Sequence, residues 1–219
     1  MSWDQWPEQK PEEYTPYMID LQFDLVGATI PADSAMLLSH ALLGIVPWLG
    51  EEKGAGIQLL KGAETNSGDA TVNINRRTKL FLRVPKTRIQ DTEILVGRSF
   101  DLDGHLLKVG NFKTRAFTPF SNIYAHFVDT GSMGEEQFVR DVMHELDSHF
   151  QLRCGFICGK QQTLQAPNGV LRGYSLMLHD LPPHKSLRVQ DEGMGHNRLL
   201  GCGIFIPHKS IAPVVSVNL

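Results

Sequence analysis

The sequence predicts an α+β protein made of two tandem ferredoxin-like domains, each with the element order β-α-β-β-α-β. Two observations carry this prediction. The same order of strand and helix patterns occurs twice, in residues 18–113 and again in residues 114–219. The chain has 219 residues, of which 42% are hydrophobic. This is enough for two cores of about 100 residues each.

The first unit opens with a strand and a helix. Residues 18–30 alternate apolar and polar side chains, which predicts a strand that is buried on one face. A helix is predicted over residues 32–46, with Asp33 or Ser34 as its N-cap and Pro47 at its end. Together these two elements give the β-α opening of a ferredoxin-like unit.

The remaining elements of the first unit follow in the same order. Residues 55–64 and 78–85 predict two strands, which are separated by a polar segment. A short helix is predicted over residues 86–95. Residues 99–110 predict either a hairpin around the Asp103-Gly104 turn or one kinked final strand.

The second unit repeats this order without repeating the sequence. A strand is predicted over residues 117–129 and a helix over residues 134–150. One face of that helix carries the apolar residues Phe138, Val139, Val142, Met143 and Leu146. Two further strands are predicted over residues 153–165 and 169–181, on either side of a turn.

A glycine-rich loop lies near the end of the second unit. It spans residues 193–203, reads GMGHNRLLGCG, and joins a predicted helix over residues 182–192 to a last strand over residues 203–207. Glycine allows positive φ and has no Cβ. Two G-x-G pairs therefore either make a tight turn or bring backbone N–H groups close to a phosphate. Both interpretations are open at this point.

The N-terminal segment and the cysteines indicate the cellular compartment in which we expect the protein. Residues 1–17 form an acidic, proline-rich tail, which we expect to be poorly ordered and which lacks the pattern of a signal peptide. No apolar run approaches the ~18 residues of a membrane span. The three cysteines are an odd number without a C-x-x-C pair, which favours free thiols in a reducing compartment. We therefore expect a cytoplasmic protein with no membrane partner.

The charge of the chain is unevenly distributed. A formal net charge of −3 argues against a generic basic nucleic-acid-binding protein. The middle of the chain nevertheless has a basic stripe, made of Arg76, Arg77, Lys79, Arg83, Lys86, Arg88, Arg98, Lys108, Lys113 and Arg115. Such a stripe is either a solvated face or the electrostatic footprint of a phosphate backbone.

Several motifs resemble one known family. The glycine loop, with a basic residue between its two G-x-G pairs, resembles the signature of the repeat-associated RAMP proteins of CRISPR systems. The segments PWL, RRTKLFLRVP, SLMLHDL and LLGCGIFIPHKSI are similar to the MYXAN-type subgroup of the endoribonucleases that process CRISPR RNA. The resemblance implies tandem ferredoxin-like, RRM-like domains, recognition of a CRISPR repeat stem-loop, and metal-independent cleavage beside it. It also implies other proteins of a CRISPR effector complex as partners, and no cofactor.

The resemblance also suggests catalytic residues. Without a metal, RNA is cut most easily by its own 2′-hydroxyl, and the reaction needs a base such as histidine, whose unperturbed pKa is ~6.5. The family places its general base on or just after the first helix, which favours His40 here. Close members of the subgroup often have a histidine directly after the Asp that starts this helix, where the present sequence has Ser34. By location, Ser39, Lys53 and Tyr17 are supporting candidates.

Candidate RNA-binding residues come from the stripe and the loop. They are Arg76, Arg77, Lys79, Arg115 and Arg172, together with Gly193, Gly195, His196, Arg198, Gly201 and Gly203. His196 is the second choice for the base. No metal site is predicted, because His144 and His149 are five residues apart and do not share a helical face.

Two alternatives to an endoribonuclease remain open. The first is a non-catalytic subunit that binds CRISPR RNA within a ribonucleoprotein effector complex. The second is a ferredoxin-like protein that binds a small anion or another protein. The glycine signature together with the basic stripe argues against the second of these.

Overall fold

The computed structural model of the chain describes residues 13–60, 63–64 and 71–208. This part of the chain contains three α-helices, α1 (Ala35–Ile45), α2 (Glu135–Ser148) and α3 (Pro183–Glu192). Its strands are β1 (Met18–Val26), β2 (Thr29–Pro31), β3 (Gly56–Ile57), β4 (Ala63–Glu64), β5 (Thr71–Asn73), β6 (Lys79–Pro85), β7 (Ser99–Asp101), β8 (Leu106–Arg115), β9 (Ile123–Val128), β10 (Gly155–Ala166), β11 (Gly169–His179) and β12 (Phe205–Pro207).

Two antiparallel sheets form the body of the protein. The first has the strand order β3-β6-β1-β8-β7, and the second has the order β10-β11-β9-β12. In both sheets the first strand of the unit lies between the third and the fourth, which is the ferredoxin-like arrangement. The predicted tandem ferredoxin-like fold is confirmed. The predicted boundary between the two domains lies between residues 113 and 114. Strand β8 continues past it to Arg115. The boundary itself stays a prediction.

Alternation along the strands sets the position of each core. In β1, Leu21 and Phe23 are fully buried, while Gln22 between them is half-buried on the opposite face. Leu38 and Leu42 of α1 cover the apolar face of the first sheet. One side of the first sheet is therefore core, and the other side, which we call its open face, is more polar and partly covered by the second domain. The second sheet is built in the same way, with α2 and α3 over its apolar face.

Three predicted elements of the first unit are wrong in detail. The predicted strand over 18–30 breaks at Gly27, and its end forms β2 in a separate sheet of order β2-β5-β4, which the sequence analysis missed. Gly27 is needed where β8 comes close, because a Cβ there would lie 2.9 Å from the carbonyl oxygen of Leu106. Of the predicted strand over 55–64, only β3 joins the main sheet. Residues 86–88 and 90–95 form short 3-10 helices instead of one α-helix.

Two further details concern a turn and a helix. The hairpin alternative for residues 99–110 is correct, with positive φ at Asp103 (56°) and Gly104 (84°) between β7 and β8. Met143 was predicted on the buried face of α2, but it is 56% exposed. The buried residues of α2 follow a spacing of four, Phe138, Val142 and Leu146. Met143 lies 100° around the helix from Val142, outside that stripe.

The two domains meet through a third hydrophobic cluster. It joins Ala35 of α1 to Phe127 of β9, Leu164 of β10 and the glycine-loop residues Leu200 and Cys202. The N-terminal segment also connects the domains, because the hydroxyl of Tyr14 donates a hydrogen bond to Asp191 of α3 (2.7 Å). Residues 13–17 of the predicted tail thus contact the second domain, whereas residues 1–12 lie outside the described part of the chain.

No helix within the described ranges is long and apolar enough to cross a membrane.

Candidate nucleic-acid interface

The open face of the first sheet is polar and aromatic. On it, Asp20 lies opposite Arg83 of β6 and Arg115 of β8. Gln22 lies opposite Phe81 in the same way, and Asp24 lies opposite Lys79. Every second residue of a strand points to the same side of the sheet. Charged residues of three strands that are distant in sequence therefore lie together on this face.

The open face of the second sheet is also aromatic. In β9 the residues Ile123, Ala125 and Phe127 are buried, so Tyr124 and His126 point to the other side. Their rings pack edge to face, with centroids 4.7 Å apart and planes at 78°. Ile206 of β12 pairs with Tyr124 and extends this face.

The two open faces enclose a cleft between the domains. A first cavity of about 410 Å³ lies between them and is lined by Asp20, Gln58, Leu59, Arg77, Lys79, Phe81, His126, Gly201, Ile204, Ile206 and Pro207. A second cavity of about 630 Å³ lies between the start of α1 and strands β9 and β10. Leu59 and His126 line both cavities, so the two adjoin, and together we call them the interdomain cleft.

Arg83 pairs with Asp20, a residue that lines the interdomain cleft. Its side chain is fully buried and pairs with Asp20 through two hydrogen bonds, Nε to Oδ1 at 2.7 Å and Nη2 to Oδ2 at 2.9 Å. It also donates to the carbonyl oxygens of Gln190 and of Phe205, the latter at 3.1 Å. The guanidinium thereby ties the first sheet to α3 and β12 of the second domain. One member of the basic stripe is thus a structural residue of the domain junction.

The predicted cationic RNA-binding residues are not all in one place. Arg77 and Lys79 line the first cavity, and Lys79 forms an ion pair with Asp24 at 2.8 Å. Arg115 lies on the same open face and donates a hydrogen bond to Gln22 (2.9 Å). Arg76 is exposed in the turn before β6, and Arg172 is exposed on β11 opposite Thr163, which lines the second cavity. Of these five residues, Arg77 and Lys79 line the interdomain cleft, and Arg115 lies on the sheet face beside it.

The glycines of the loop are required by its own packing. Gly203 has a φ of 66°, and a Cβ there would lie 1.9 Å from the carbonyl oxygen of Met194. Gly195 has a φ of 72°, and a Cβ there would lie 2.3 Å from the carbonyl oxygen of Asp129. Any side chain at these positions would displace backbone. The tight-turn interpretation thus accounts for these glycines, and a contact of Gly193, Gly195, Gly201 or Gly203 with RNA stays a prediction.

The two sides of the glycine loop face different surroundings. Gly201 packs on Leu59 and lines the first cavity. Gly195 and the exposed His196 line a separate depression of about 260 Å³ against α2, where the backbone N–H of Gly195 donates to Glu145 (3.2 Å). Burial raises the pKa of Glu145, while that hydrogen bond partly opposes the increase. Only one end of the loop, around Gly201, reaches the interdomain cleft.

Arg198 is held at the C-terminus of α3. Its guanidinium donates to the carbonyl oxygens of Glu192 and Asp191, the latter at 3.4 Å. Its Nε is buried and has no hydrogen-bond partner among the described residues. Burial, followed by the positive charge of Arg83, lowers the pKa of Arg198, and nearby carboxylates oppose that shift. A cation suits the negative end of a helix dipole. A direct contact with RNA would require this guanidinium to leave the α3 carbonyls.

Of the candidate catalytic residues, Ser39 and His40 lie on α1, while Lys53 and Tyr17 lie outside it. His40 is exposed on α1, as predicted from the helical spacing, whereas Ser39 beside it is 5% exposed on the core side. Lys53 follows the helix and is exposed, and Tyr17 at the start of β1 is 54% exposed. Within the described residues, no hydrogen bond or ion pair joins any two of these four. Their catalytic roles stay predictions.

The sequence analysis missed the aromatic residues of the cleft. Tyr124, His126 and Phe81 line it. Phe81 lies within the segment RRTKLFLRVP, but Tyr124 and His126 lie in none of the motifs that carry the resemblance. A weak signal was present, because the alternation of IYAHFV places Tyr124 and His126 on the face opposite the buried residues. Only the packing of the two domains decides which face of the strand is core and what lies opposite its other face.

Within the described ranges, no group of three or more His, Cys, Asp or Glu side chains is arranged to hold a metal ion.

Comparison with known proteins places this architecture in a family. A family profile described as "Cas6 Crispr" matches residues 19–210. The chain is 30% identical over 199 residues to the CRISPR-associated endonuclease Cas6 of Myxococcus xanthus strain DK1622, covering 90% of this chain and 85% of that protein.

Solved structures share the fold at low sequence identity. A CRISPR-associated protein Cas6 superposes with a TM-score of 0.61 at 10% identity, covering 88% of this chain and 100% of the other. A Cas6-related protein from Pyrococcus furiosus also gives a TM-score of 0.61, at 13% identity, with 86% and 98% covered. A RAMP protein described as binding different RNA substrates gives 0.60 at 10% identity, with 85% and 98% covered.

Proposed function

The chain belongs to the Cas6 family, and we propose that it cuts precursor CRISPR RNA by attack of an RNA 2′-hydroxyl on the neighbouring phosphate, without a metal ion. The products are a 2′,3′-cyclic phosphate and a 5′-hydroxyl end. Endoribonuclease activity in CRISPR RNA processing follows from the family and from the M. xanthus relative that is named as an endonuclease. The metal independence and the end groups belong to the proposal.

The observation that carries the proposal is the interdomain cleft. The two facing sheets carry the half-buried aromatic side chains of Phe81, Tyr124 and His126, with the cations Arg77, Lys79 and Arg115 beside them. This arrangement resembles the way in which RRM-type sheets hold single-stranded RNA. Bases can stack on Phe81, Tyr124 or His126, while lysine and arginine neutralise phosphates. The two adjoining cavities extend from the first sheet to the start of α1, so we propose that a strand lies along them.

The proposed chemistry needs one base and a source of positive charge. His40 is the proposed base, because it is exposed on α1 and no hydrogen bond or ion pair occupies it within the described residues. It lies one helical turn after Met36, which packs against the cluster that contains Leu200 of the glycine loop. A substrate that lies along the loop and α1 would therefore pass His40.

The supporting roles follow from location. Lys53 is proposed to offset negative charge on the phosphate, and Tyr17 to hydrogen-bond the 2′-hydroxyl, since both are exposed near the far end of α1. The buried Ser39 is proposed to position His40 through the helix. The glycine loop, with His196 at its exposed end, is the proposed contact with the repeat stem. Other Cas proteins are proposed partners for the product.

The first prediction concerns the metal and the product ends. We expect purified protein to cut its repeat RNA at the same rate with and without EDTA, because the nucleophile belongs to the RNA and histidine can act as the base. The upstream product should carry a cyclic phosphate, detected by mass spectrometry and by resistance to phosphatase until acid opens the ring. Loss of activity in EDTA that returns with an added divalent cation would contradict the proposal.

A second prediction separates two roles of Arg198. Because the guanidinium holds the C-terminus of α3, we expect Arg198→Ala to lower the free energy of unfolding by about 1.5–3 kcal/mol. We expect the dependence of log affinity for repeat RNA on log salt to keep its slope. Thermal unfolding and RNA titrations at several salt concentrations measure the two effects. If instead the slope falls by about one while the melting temperature holds, Arg198 contacts a phosphate directly.

A non-catalytic role would give a different result. If the wild-type protein binds its repeat tightly but never cuts it, with or without divalent cations, the chain is an RNA-binding subunit of an effector complex. A 2′-deoxy substitution at the cleavage site serves as the control for the nucleophile. It should stop cleavage and leave binding within a few-fold.

A further inference from the structure

Asp191 of α3 is outside the proposed catalytic and RNA-binding residues. It belongs to the second domain, but its carboxylate contacts the start of β1 in the first domain. We propose that Asp191 is a positioning residue for cleavage, which fixes the backbone of residues 17 and 18 and thereby presents the Tyr17 side chain beside Lys53. The inference rests on the proposed function, in which Tyr17 and Lys53 act on the RNA.

Three donors from the N-terminal segment converge on this carboxylate. The backbone N–H of Met18 donates to Oδ1 at 2.7 Å, and the backbone N–H of Tyr17 donates to Oδ2 at 3.0 Å. The hydroxyl of Tyr14 also donates to Oδ2, at 2.7 Å. Asp191 is 4% exposed, so little water competes for these hydrogen bonds. Both oxygens of the carboxylate are therefore used to hold residues 14–18.

The location of Asp191 is unfavourable for a carboxylate that lacks such partners. Asp191 lies in the last turn of α3, at the negative end of the helix dipole, and that turn contains no basic residue. Burial of an unpaired charge is also costly. The three hydrogen bonds and the nearby charge of Arg198 offset both costs. The contact with the N-terminal segment therefore explains an aspartate here better than the helix itself does.

The first domain holds the same segment through Lys86, a member of the basic stripe. The backbone N–H of Lys86 donates to the carbonyl oxygen of Tyr17 at 3.1 Å, and its Nζ donates to the carbonyl oxygen of Pro16 at 2.5 Å. The backbone N–H and C=O of Tyr17 are thus both occupied, while the residue is 54% exposed. A fixed backbone with an exposed ring suits a side chain that must meet a ligand in one geometry.

The same contact connects Tyr17 to the segment that contains Lys53. The side chain of Met18 lies beside Gly54, where a Cβ would be 3.7 Å from the terminal methyl carbon of Met18. Tyr17 directly precedes Met18, and Lys53 directly precedes Gly54. The start of β1 and the Lys53 segment are therefore neighbours. Because Asp191 holds the N–H of Met18, loss of that bond would shift Tyr17 relative to Lys53.

The test removes these hydrogen bonds and keeps the shape of the side chain. Asp191→Asn leaves one acceptor oxygen and turns an NH₂ group toward the second backbone N–H, so at least one bond to residues 17 and 18 is lost. Glu192→Gln is the matched control. Glu192 is the neighbouring carboxylate of α3 and shares the hydroxyl of Tyr14 (3.4 Å), but within the described chain it accepts nothing from the backbone of residues 17 and 18.

We expect Asp191→Asn to lower the single-turnover rate of cleavage by about ten-fold, close to the loss in Tyr17→Phe, because one hydrogen bond in the reaction is misplaced. In the Tyr17→Phe background it should lower the rate by less than about two-fold, since the group that it positions is already absent. Affinity for a repeat with a 2′-deoxy group at the cleavage site should stay within a few-fold throughout. Glu192→Gln should cut at the wild-type rate.

Lys86→Met loosens the segment from the first domain and serves if Asp191→Asn fails to fold. Lys86 is exposed, so this variant should melt like the wild type. We expect its rate to fall by about three-fold, and the loss should disappear in the Tyr17→Phe background. Hydrogen exchange read by NMR should be about ten-fold faster at the amides of residues 17 and 18 in Asp191→Asn, and unchanged in Glu192→Gln.

Three results would overturn the inference. One is an equal rate loss for Asp191→Asn, or for Lys86→Met in its place, with and without the Tyr17 hydroxyl, because the effect would then not act through Tyr17. Another is an equal loss for Asp191→Asn and Glu192→Gln, which would assign the effect to charge alone. The third is unchanged exchange at both amides in a folded Asp191→Asn.

A wild type that binds its repeat but never cuts it would contradict the proposed function, and RNA affinity would then test the positioning role. The probes are the repeat with a 2′-hydroxyl and the repeat with a 2′-deoxy group at the cleavage site. A preference for the hydroxyl that is lost in both Tyr17→Phe and Asp191→Asn supports the role of Asp191. A preference that is absent in the wild type, or that survives in Asp191→Asn, overturns it.

Discussion

His40→Ala is expected to lower the single-turnover rate of repeat cleavage by roughly 10²–10⁴, the usual effect of losing a positioned acid or base. Affinity for the repeat should stay within a few-fold. The physical reason is that His40 is exposed on α1, so its removal leaves no cavity in the core and does not touch the glycine loop. The measurements are a single-turnover time course and an equilibrium titration of the same RNA.

His144→Ala is the control for this prediction. His144 is exposed on α2 of the second domain, so we expect its loss to leave both rate and affinity unchanged. A wild-type rate for His40→Ala, together with an inactive His196→Ala that still binds, would move the base to the glycine loop. An inactive His40→Ala that has also lost affinity would mean that the histidine binds the substrate and does not act as the base.

Arg83→Met is expected to destabilise the protein by about 3–5 kcal/mol, because it leaves Asp20 buried without its partner. Asp20 is 8% exposed, and the lost hydrogen bonds include those that join the first sheet to Gln190 and Phe205 of the second domain. For a chain of 219 residues this corresponds to a melting temperature that is lower by about 10 °C. Calorimetry or circular dichroism on heating measures it.

Two further variants test the cause of this effect. Arg88 forms ion pairs with Glu52 and Asp91 at the surface, so Arg88→Met should lower the melting temperature far less than Arg83→Met. The double variant Asp20→Leu and Arg83→Met removes both buried charges, and we expect it to be more stable than Arg83→Met alone. Equal losses for Arg83→Met and Arg88→Met would show that the buried pair does not hold the domain junction.

Much of the fold could be predicted from the sequence because it depends on local patterns. The alternation of β1 and the four-residue spacing of α2 follow from which side chains must be buried. The exposed position of His40 followed from the same reasoning. The residues at which the strands end were harder to predict. The end of β1 depends on the close approach of β8 at Gly27, which is a contact between residues distant in sequence.

The interdomain cleft was only partly predicted. Lys79, Arg77 and Arg115 were predicted because of their charge. The structure places Lys79 and Arg115 on one sheet face and Arg77 in the wall of the first cavity. Arg83 has the same charge and lies in the same stripe, yet it is fully buried. Charge patterning cannot separate these cases, because the partners of Arg83 include backbone carbonyls of residues more than 100 positions away.

The sequence by itself determined that the chain has two ferredoxin-like units, that a glycine loop precedes the last strand, and that a family of CRISPR-associated proteins shares these motifs. These depend on periodicity, turn residues and short motifs, which are local. Only the tertiary structure decided which faces meet. It turned Arg198 toward the end of α3, placed His126 in the cleft, and set Asp191 of the second domain against the start of β1. The reason is that the surroundings of each side chain are set by domain packing, and domain packing joins residues that no sequence window contains.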